Sequence, residues 1–169
     1  MGIVGYRKLG QNVADIGRAF GMDIQVAALP WRHSDSTDRI PFDKLLAEAD
    51  VISLHCPLTE ETRNLIGRKQ LAMMKNSALL VNCARGGIVD EQALVEALED
   101  SVIAGAGVDV LTEEPPKNGN PLLNPEIPNL IVTPHSAWVA KESRQRLIVQ
   151  VAENIKAFLA GEPSNVVKG

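Results

Sequence analysis

Three polar residues, each at the end of an apolar run, hold most of the chemistry in this chain. Arg85 follows Ala-Leu-Leu-Val-Asn-Cys-Ala and precedes Gly86-Gly87-Ile88-Val89-Asp90. Glu114 comes shortly after the run that ends Gly107-Val108-Asp109-Val110, and His135 directly follows Asn129-Leu130-Ile131-Val132-Thr133-Pro134. Short apolar runs bounded by Gly, Pro and polar residues read as buried strands of a parallel sheet. In open parallel sheets, ligands bind at the carboxyl ends of the strands. A cation, a carboxylate and an imidazole at that edge suit chemistry on a small anionic carbonyl compound.

Such a site needs an alternating scaffold, and the chain reads as one. Strands are expected at Gly2–Val4, Asp23–Ala28, Val51–Leu54, Ala78–Asn82, Ile103–Val110 and Leu130–Thr133. Between them, Leu9, Val13, Ile16 and Phe20 recur at helical spacing. Further helices are expected over Phe42–Ala49, Lys69–Met74 and Asp90–Glu99, with a long one from about Val139 to Ala160. Pro30–Pro41, Cys56–Gly67 and Glu114–Pro128 read as loops. The tail from Gly161 to Asn165 stops the last helix. This alternation predicts a doubly wound α/β fold, a parallel sheet with flanking helices on both faces. Its first strand is truncated to a stub.

Composition narrows the partners. The chain has 169 residues, 45% of them hydrophobic and 22% charged, as in an ordinary globular domain. A net charge of -4 argues against nucleic acid or an anionic membrane as main partner, and no apolar stretch approaches the roughly 20 residues of a bilayer span. The N-terminus lacks the pattern of a signal peptide. Cys56 and Cys83 form no disulfide framework and no metal-ligand cluster, so no metal is assigned and a cytoplasmic location is expected.

The turn Gly5-Tyr6-Arg7-Lys8-Leu9-Gly10 stands where a dinucleotide fingerprint, G-x-G-x-x-G, belongs. Its glycines serve a tight turn, close approach to a pyrophosphate, and helix–strand packing. Here Arg7 replaces the second glycine. Its side chain either fills the pyrophosphate site and weakens binding, or swings out and adds a charged contact to a phosphate. The second strand runs into Ala28-Leu29-Pro30-Trp31-Arg32-His33 and lacks the usual ribose-binding acid. Arg32 is either a solvated loop residue or a partner for a 2′-phosphate, which would let the site tolerate or prefer NADP.

The motifs Asn82-Cys83-Ala84-Arg85-Gly86-Gly87-Ile88-Val89-Asp90, Gly107-Val108-Asp109-Val110 with Glu114-Pro115, and Thr133-Pro134-His135 resemble the signatures of the D-isomer-specific 2-hydroxyacid dehydrogenases. Leu54-His55-Cys56-Pro57-Leu58-Thr59 and Thr62-Arg63-Asn64-Leu65-Ile66 are also typical. Pro134-His135-Ser136-Ala137-Trp138 is similar to the glycerate dehydrogenase (hydroxypyruvate reductase) branch. The resemblance covers the whole chain, in order and spacing. It implies a Rossmann-like domain that uses NAD or NADP on a small 2-keto or 2-hydroxy acid. Arg85 would bind the substrate carboxylate, His135 would be the general acid, and Glu114 would pair with His135 and raise its pKa. Asp109, Cys83, Ala84 and Ala137 would lie at the nicotinamide end, Gly5, Lys8, Leu9 and Gly10 at the pyrophosphate, and Cys56 near the adenosine half.

The resemblance also implies a sheet of strand order 3-2-1-4-5-6 and a missing front half, the greater part of a substrate-binding domain. Residues 1–138 would be the dinucleotide-binding domain, and 139–169 a helix and tail returning toward the absent domain. A homodimer is expected. With one wall of its cleft absent, the chain is expected to be weak or inactive alone. The alternative is a non-catalytic remnant that acts as a dimerising or partner-binding module.

Overall fold

A computed structural model describes residues 1–29 and 38–167. The expectation for Arg32 falls on residues 30–37, outside the described residues. The chain divides into two compact units, residues 1–134 and 135–169.

The first unit is built on a seven-stranded, all-parallel sheet. Its strands are β1 (Gly2–Val4), β2 (Gln25–Ala28), β3 (Arg39–Pro41), β4 (Val51–Leu54), β5 (Leu79–Asn82), β6 (Gly105–Val108) and β7 (Leu130–Val132). The order is β3-β2-β1-β4-β5-β6-β7. Helices α1 (Lys8–Ala19), α2 (Phe42–Glu48), α3 (Arg68–Leu71) and α4 (Glu91–Glu99) and a 3-10 turn (Pro121–Leu123) make the connections. Right-handed crossovers put α1 on one face of the sheet and α2, α3 and α4 on the other.

Two expectations change. The polar stretch before Phe42 ends in a strand, Arg39–Pro41, which pairs with β2 at the sheet edge. Three residues closed by a proline show no alternation, so only the ladder to β2 defines them. In consequence Val51–Leu54 is the fourth strand and pairs with β1, not the third beside β2.

The core lies between the sheet and the layer of α2, α3 and α4. Val4, Leu45, Leu46, Ile52, Leu54, Leu80 and Leu94 have no exposed surface. Burying each such side chain stabilises the fold by about 1.5–3 kcal/mol. The other face is thinner. Helix α1 meets the sheet through Gly10, Ala14 and Gly17. Its Leu9, Ile16 and Phe20 are 71%, 58% and 82% exposed, so the apolar stripe is helical as read but does not face the sheet. Small residues bring the helix axis close to the strands and turn the stripe about a quarter-turn away. Leu79 and Ile131 mark sheet surface that is also open on that side.

In the second unit, α5 (Lys141–Leu159) carries Leu147, Val151, Ile155 and Phe158 on one face, all exposed. It ends at Gly161, whose φ is +78°, with Glu162 N–H donating to the Ala157 carbonyl at 3.0 Å and Gly161 N–H to Phe158 at 3.1 Å. Asn165 Nδ2 donates to Asn154 Oδ1 at 2.7 Å and folds the tail back.

The α1 glycines differ in what they hold open. A Cβ at Gly10 would overlap the Gly5 carbonyl oxygen, a backbone atom. A Cβ at Gly17 meets only the ends of Met1 and Ile24, at 2.6 and 2.8 Å. Gly10→Ala is expected to lose about 2–4 kcal/mol in urea unfolding. Gly17→Ala should stay within about 1 kcal/mol of wild type, because a helix interior favours alanine by about that amount. Equal losses for the two would refute this account of the turn.

Candidate functional site

Parallel register places the carboxyl ends of β1, β4, β5 and β6 along one edge, and the loops leaving them build the site. After β1, Gly5 takes φ +97°. A Cβ there would stand 2.6 Å from the Cys56 nitrogen and the His55 carbonyl carbon, so the phosphate turn and the loop after β4 touch backbone to backbone. His55 N–H donates to the Val4 carbonyl at 2.7 Å, and its Nε2 lies 2.9 Å from Ser53 Oγ. Burial pushes the His55 imidazole below the ordinary histidine range. It shapes the strand end and adds no charge at neutral pH.

After β5 the chain turns on Asn82, which is 2% exposed. Its Oδ1 accepts the Ala84 amide at 3.1 Å and its Nδ2 donates to the Arg85 carbonyl at 3.0 Å. Arg85 is exposed, and its Nη1 donates to the Ala84 carbonyl at 2.7 Å. Any Cβ on Gly86 would overlap the Leu111 carbonyl, so the loop after β6 lies directly against this turn. Glu114 Oε1 accepts the Leu111 amide at 2.7 Å. Glu91, in the first turn of α4, accepts Thr112 N–H at 2.7 Å and Asn120 Nδ2 at 2.8 Å. The Arg85 and Glu114 loops are thereby braced on each other and on α4.

The groove along this edge is a cavity of about 320 Å³ that brings together Arg7, Lys8, Leu9, Cys56, Cys83, Ala84 and Arg85. Gly10 is buried beneath it. Asp109 is 3% exposed and accepts a short hydrogen bond from Thr133 Oγ1. Desolvation of the Cys83 thiol raises its pKa, and the Asp109 charge adds to the rise. His135 and Ala137 belong to the second unit. There His135 has φ +51°, a left-handed conformation uncommon for a residue with a side chain, and its carbonyl accepts Trp138 Nε1 at 2.9 Å.

Asn82, Gly86 and Glu91 carry the loops of this site, and the sequence reading gave them no role. A polar residue inside the run Leu79–Asn82 was the available signal for the first. Among the described residues no group of acidic, histidine or cysteine side chains could hold a metal ion, and no helix is long and apolar enough to cross a membrane.

The glycine positions fit the fingerprint of a nucleotide turn, since Gly5 and Gly10 cannot carry a side chain; Arg7 departs from it. Cys56 is buried, with its thiol pushed up to about 11, whereas Cys83 is exposed. Iodoacetamide at pH 8 is expected to label Cys83 well before Cys56, read by mass spectrometry of the native chain. Equal labelling would overturn the assignment of Cys56 to the sealed floor of the groove.

Residues 1–137 match the family described as D-isomer specific 2-hydroxyacid dehydrogenase, NAD binding domain. The chain is 48% identical over 168 residues to a glycerate dehydrogenase of Methylorubrum extorquens, across 99% of this chain and 52% of the relative. It is 41% identical over 170 residues to a hydroxypyruvate reductase of Blautia hydrogenotrophica, again across 99% and 52%. A crystal structure of D-lactate dehydrogenase with NAD+ from Lactobacillus jensenii superposes with a TM-score of 0.85 at 37% identity, across 99% of this chain and 55% of that one. The chain spans about half the length of the relatives it matches. With the fold, the glycine turn and the strand-end residues in agreement, the chain belongs to the D-isomer specific 2-hydroxyacid dehydrogenases, in their NAD-binding domain.

Proposed function

We propose that this chain is the nucleotide-binding half of an NAD(P)-dependent dehydrogenase that reduces a small 2-keto acid such as hydroxypyruvate or glyoxylate. The observation that carries this reading is the shared groove, where the first turn of α1 and the Arg85 turn line one cavity. Arg85 binds the substrate carboxylate; its guanidinium is permanently charged and forks to two oxygens. His135 holds a proton on its imidazole and delivers it to the new alkoxide, and takes it back in the reverse direction. Glu114 orients that ring and favours its protonated form. Asp109, Cys83, Ala84 and Ala137 border the nicotinamide end. The nicotinamide cofactor, when bound, carries the hydride. The missing acid after β2 and the presence of Arg32 favour tolerance of NADP. Two free cysteines suit a reducing cytoplasm.

A second reading, a non-catalytic module, is favoured by Arg7 in the phosphate turn. Electrostatic assistance from Arg85 weakens in high dielectric, and alignment by a second wall can supply several kcal/mol of rate enhancement. Oxidation of NADH or NADPH with hydroxypyruvate by this chain alone is therefore expected to stay at background. Turnover above background defeats that expectation, and a clear preference for NADH over NADPH in fluorescence titration defeats NADP tolerance.

A homodimer through α1 completes the reading. Leu9, Val13, Ile16 and Phe20 are spaced 4-3-4, a narrow coiled-coil-like seam. In an antiparallel pair about a two-fold axis, Leu9 meets Phe20 and Val13 meets Ile16 of the other copy. The same axis brings Lys8, unfavourable at its own helix N-terminus, to the other helix's C-terminus, where a cation is favoured. Ile16→Glu is expected to convert a dimer to a monomer in sedimentation velocity. A dimer unchanged by it overturns the seam, and a monomeric wild type overturns the dimer.

A further inference from the structure

Of the three fingerprint positions, the fold dictates two. Gly5 needs its positive φ and its backbone contact with His55 and Cys56, and Gly10 needs its contact with the Gly5 carbonyl. The middle position makes no such demand. Arg7 has φ -96° and ψ -168°, an extended backbone open to any residue, at the N-cap of α1. A glycine there serves a ligand and not the chain, so an arginine alters what binds while leaving the fold intact.

The groove is correspondingly in two parts. Beside the 320 Å³ cavity lies one of about 250 Å³ with Leu29, Thr59, Glu61 and Thr62 on its walls. The two share Arg7, His55, Cys56 and Pro57, which form the waist between them. Each is at the small end of ligand-pocket volumes, roughly 300–1,000 Å³. A dinucleotide needs both, and its pyrophosphate must pass the waist. His55 is held neutral there by burial, and so is the Cys56 thiol. Pro57 has no N–H. Arg7 is therefore the charged side chain of the waist.

We propose that Arg7 divides this groove, so that the chain takes a nucleoside phosphate with a terminal phosphate group in preference to a dinucleotide. The proposal rests on nucleotide binding in this groove and, of the two readings above, sides with the non-catalytic module. A terminal phosphate carries close to two negative charges at neutral pH and offers free oxygens to a guanidinium fork. Arg7, with Lys8 and the first amides of α1, meets such a group end-on. A pyrophosphate diester carries one charge per phosphate and leaves no free end; its chain must thread past the side chain. On the nucleoside side, Leu29 and Pro57 supply apolar wall, and the Glu61 carboxylate can accept hydrogen bonds from ribose hydroxyls.

The test is calorimetric titration of the 169-residue chain with AMP, ADP and NADH, repeated on Arg7→Gly and Arg7→Ala. Wild type is expected to bind AMP or ADP at least tenfold more tightly than NADH. Both variants should gain at least tenfold for NADH and lose their preference for the terminal phosphate. Glycine is accepted at an N-cap, and alanine checks that any gain is not a change in backbone freedom. NADH bound more tightly than AMP and ADP by wild type overturns the proposal, as do affinities that neither variant changes. NADH binding by the variants, with no nucleotide bound by wild type, also overturns it but leaves the nucleotide-binding reading standing. No binding by any of the three chains overturns both.

Discussion

The site depends on backbone pressed against backbone where strands leave the sheet. The Leu111 carbonyl occupies the space of a side chain at Gly86, and the His55–Cys56 peptide occupies it at Gly5. These contacts fuse four loops into two rigid pairs. The first pair, after β1 and β4, makes the floor of the groove. The second, after β5 and β6, carries Arg85 and Glu114. Neither pairing relies on a charged interaction, so neither is screened by salt. Their stability comes instead from shape, and a single added methyl group is enough to separate them.

Around that constraint the polar residues divide into those spent on the backbone of neighbouring loops and those left facing solvent. Asn82 is spent on the Ala84 and Arg85 backbone, and Glu91 on Thr112 and Asn120. Buried or half-buried polar groups of this kind must be satisfied, because each lost partner costs about 1–3 kcal/mol. Arg85 is bonded only locally, to the carbonyl of its own neighbour, and its guanidinium is exposed. The sheet thus holds this guanidinium on a firm base while leaving most of its donors to solvent.

Much of this was legible in the sequence because unbroken apolar runs and strand-end placement are local signals. The runs ending at Asn82 and Val110 announced β5 and β6, which close at Asn82 and Val108, and Asp90 announced the start of α4, where its side chain accepts the Ala93 amide. What escaped was set by contacts distant in sequence. Arg39–Pro41 is a strand only because β2 offers it a ladder. The stripe Leu9, Val13, Ile16 and Phe20 has a clear helical period, but period alone does not say which face meets the sheet. Gly10, Ala14 and Gly17 decide that, through the closeness they permit. Likewise Gly86 reads as one of two loop glycines until Leu111 is found lying on it.

The strands do not end equally well protected. β4 has three buried residues of four, whereas β7, at the sheet edge, has none of its three buried. Opening free energies track such differences: edge segments with exposed amides separate from the sheet far more readily than the core unfolds. β7 leads directly into Thr133 and His135. Its detachment would also break the Thr133 hydrogen bond to Asp109 while leaving the Arg85 turn anchored on β5. The edge of the sheet thus has two stability classes in hydrogen exchange: a slow-exchanging strand end at Arg85 and a fast-exchanging one before His135.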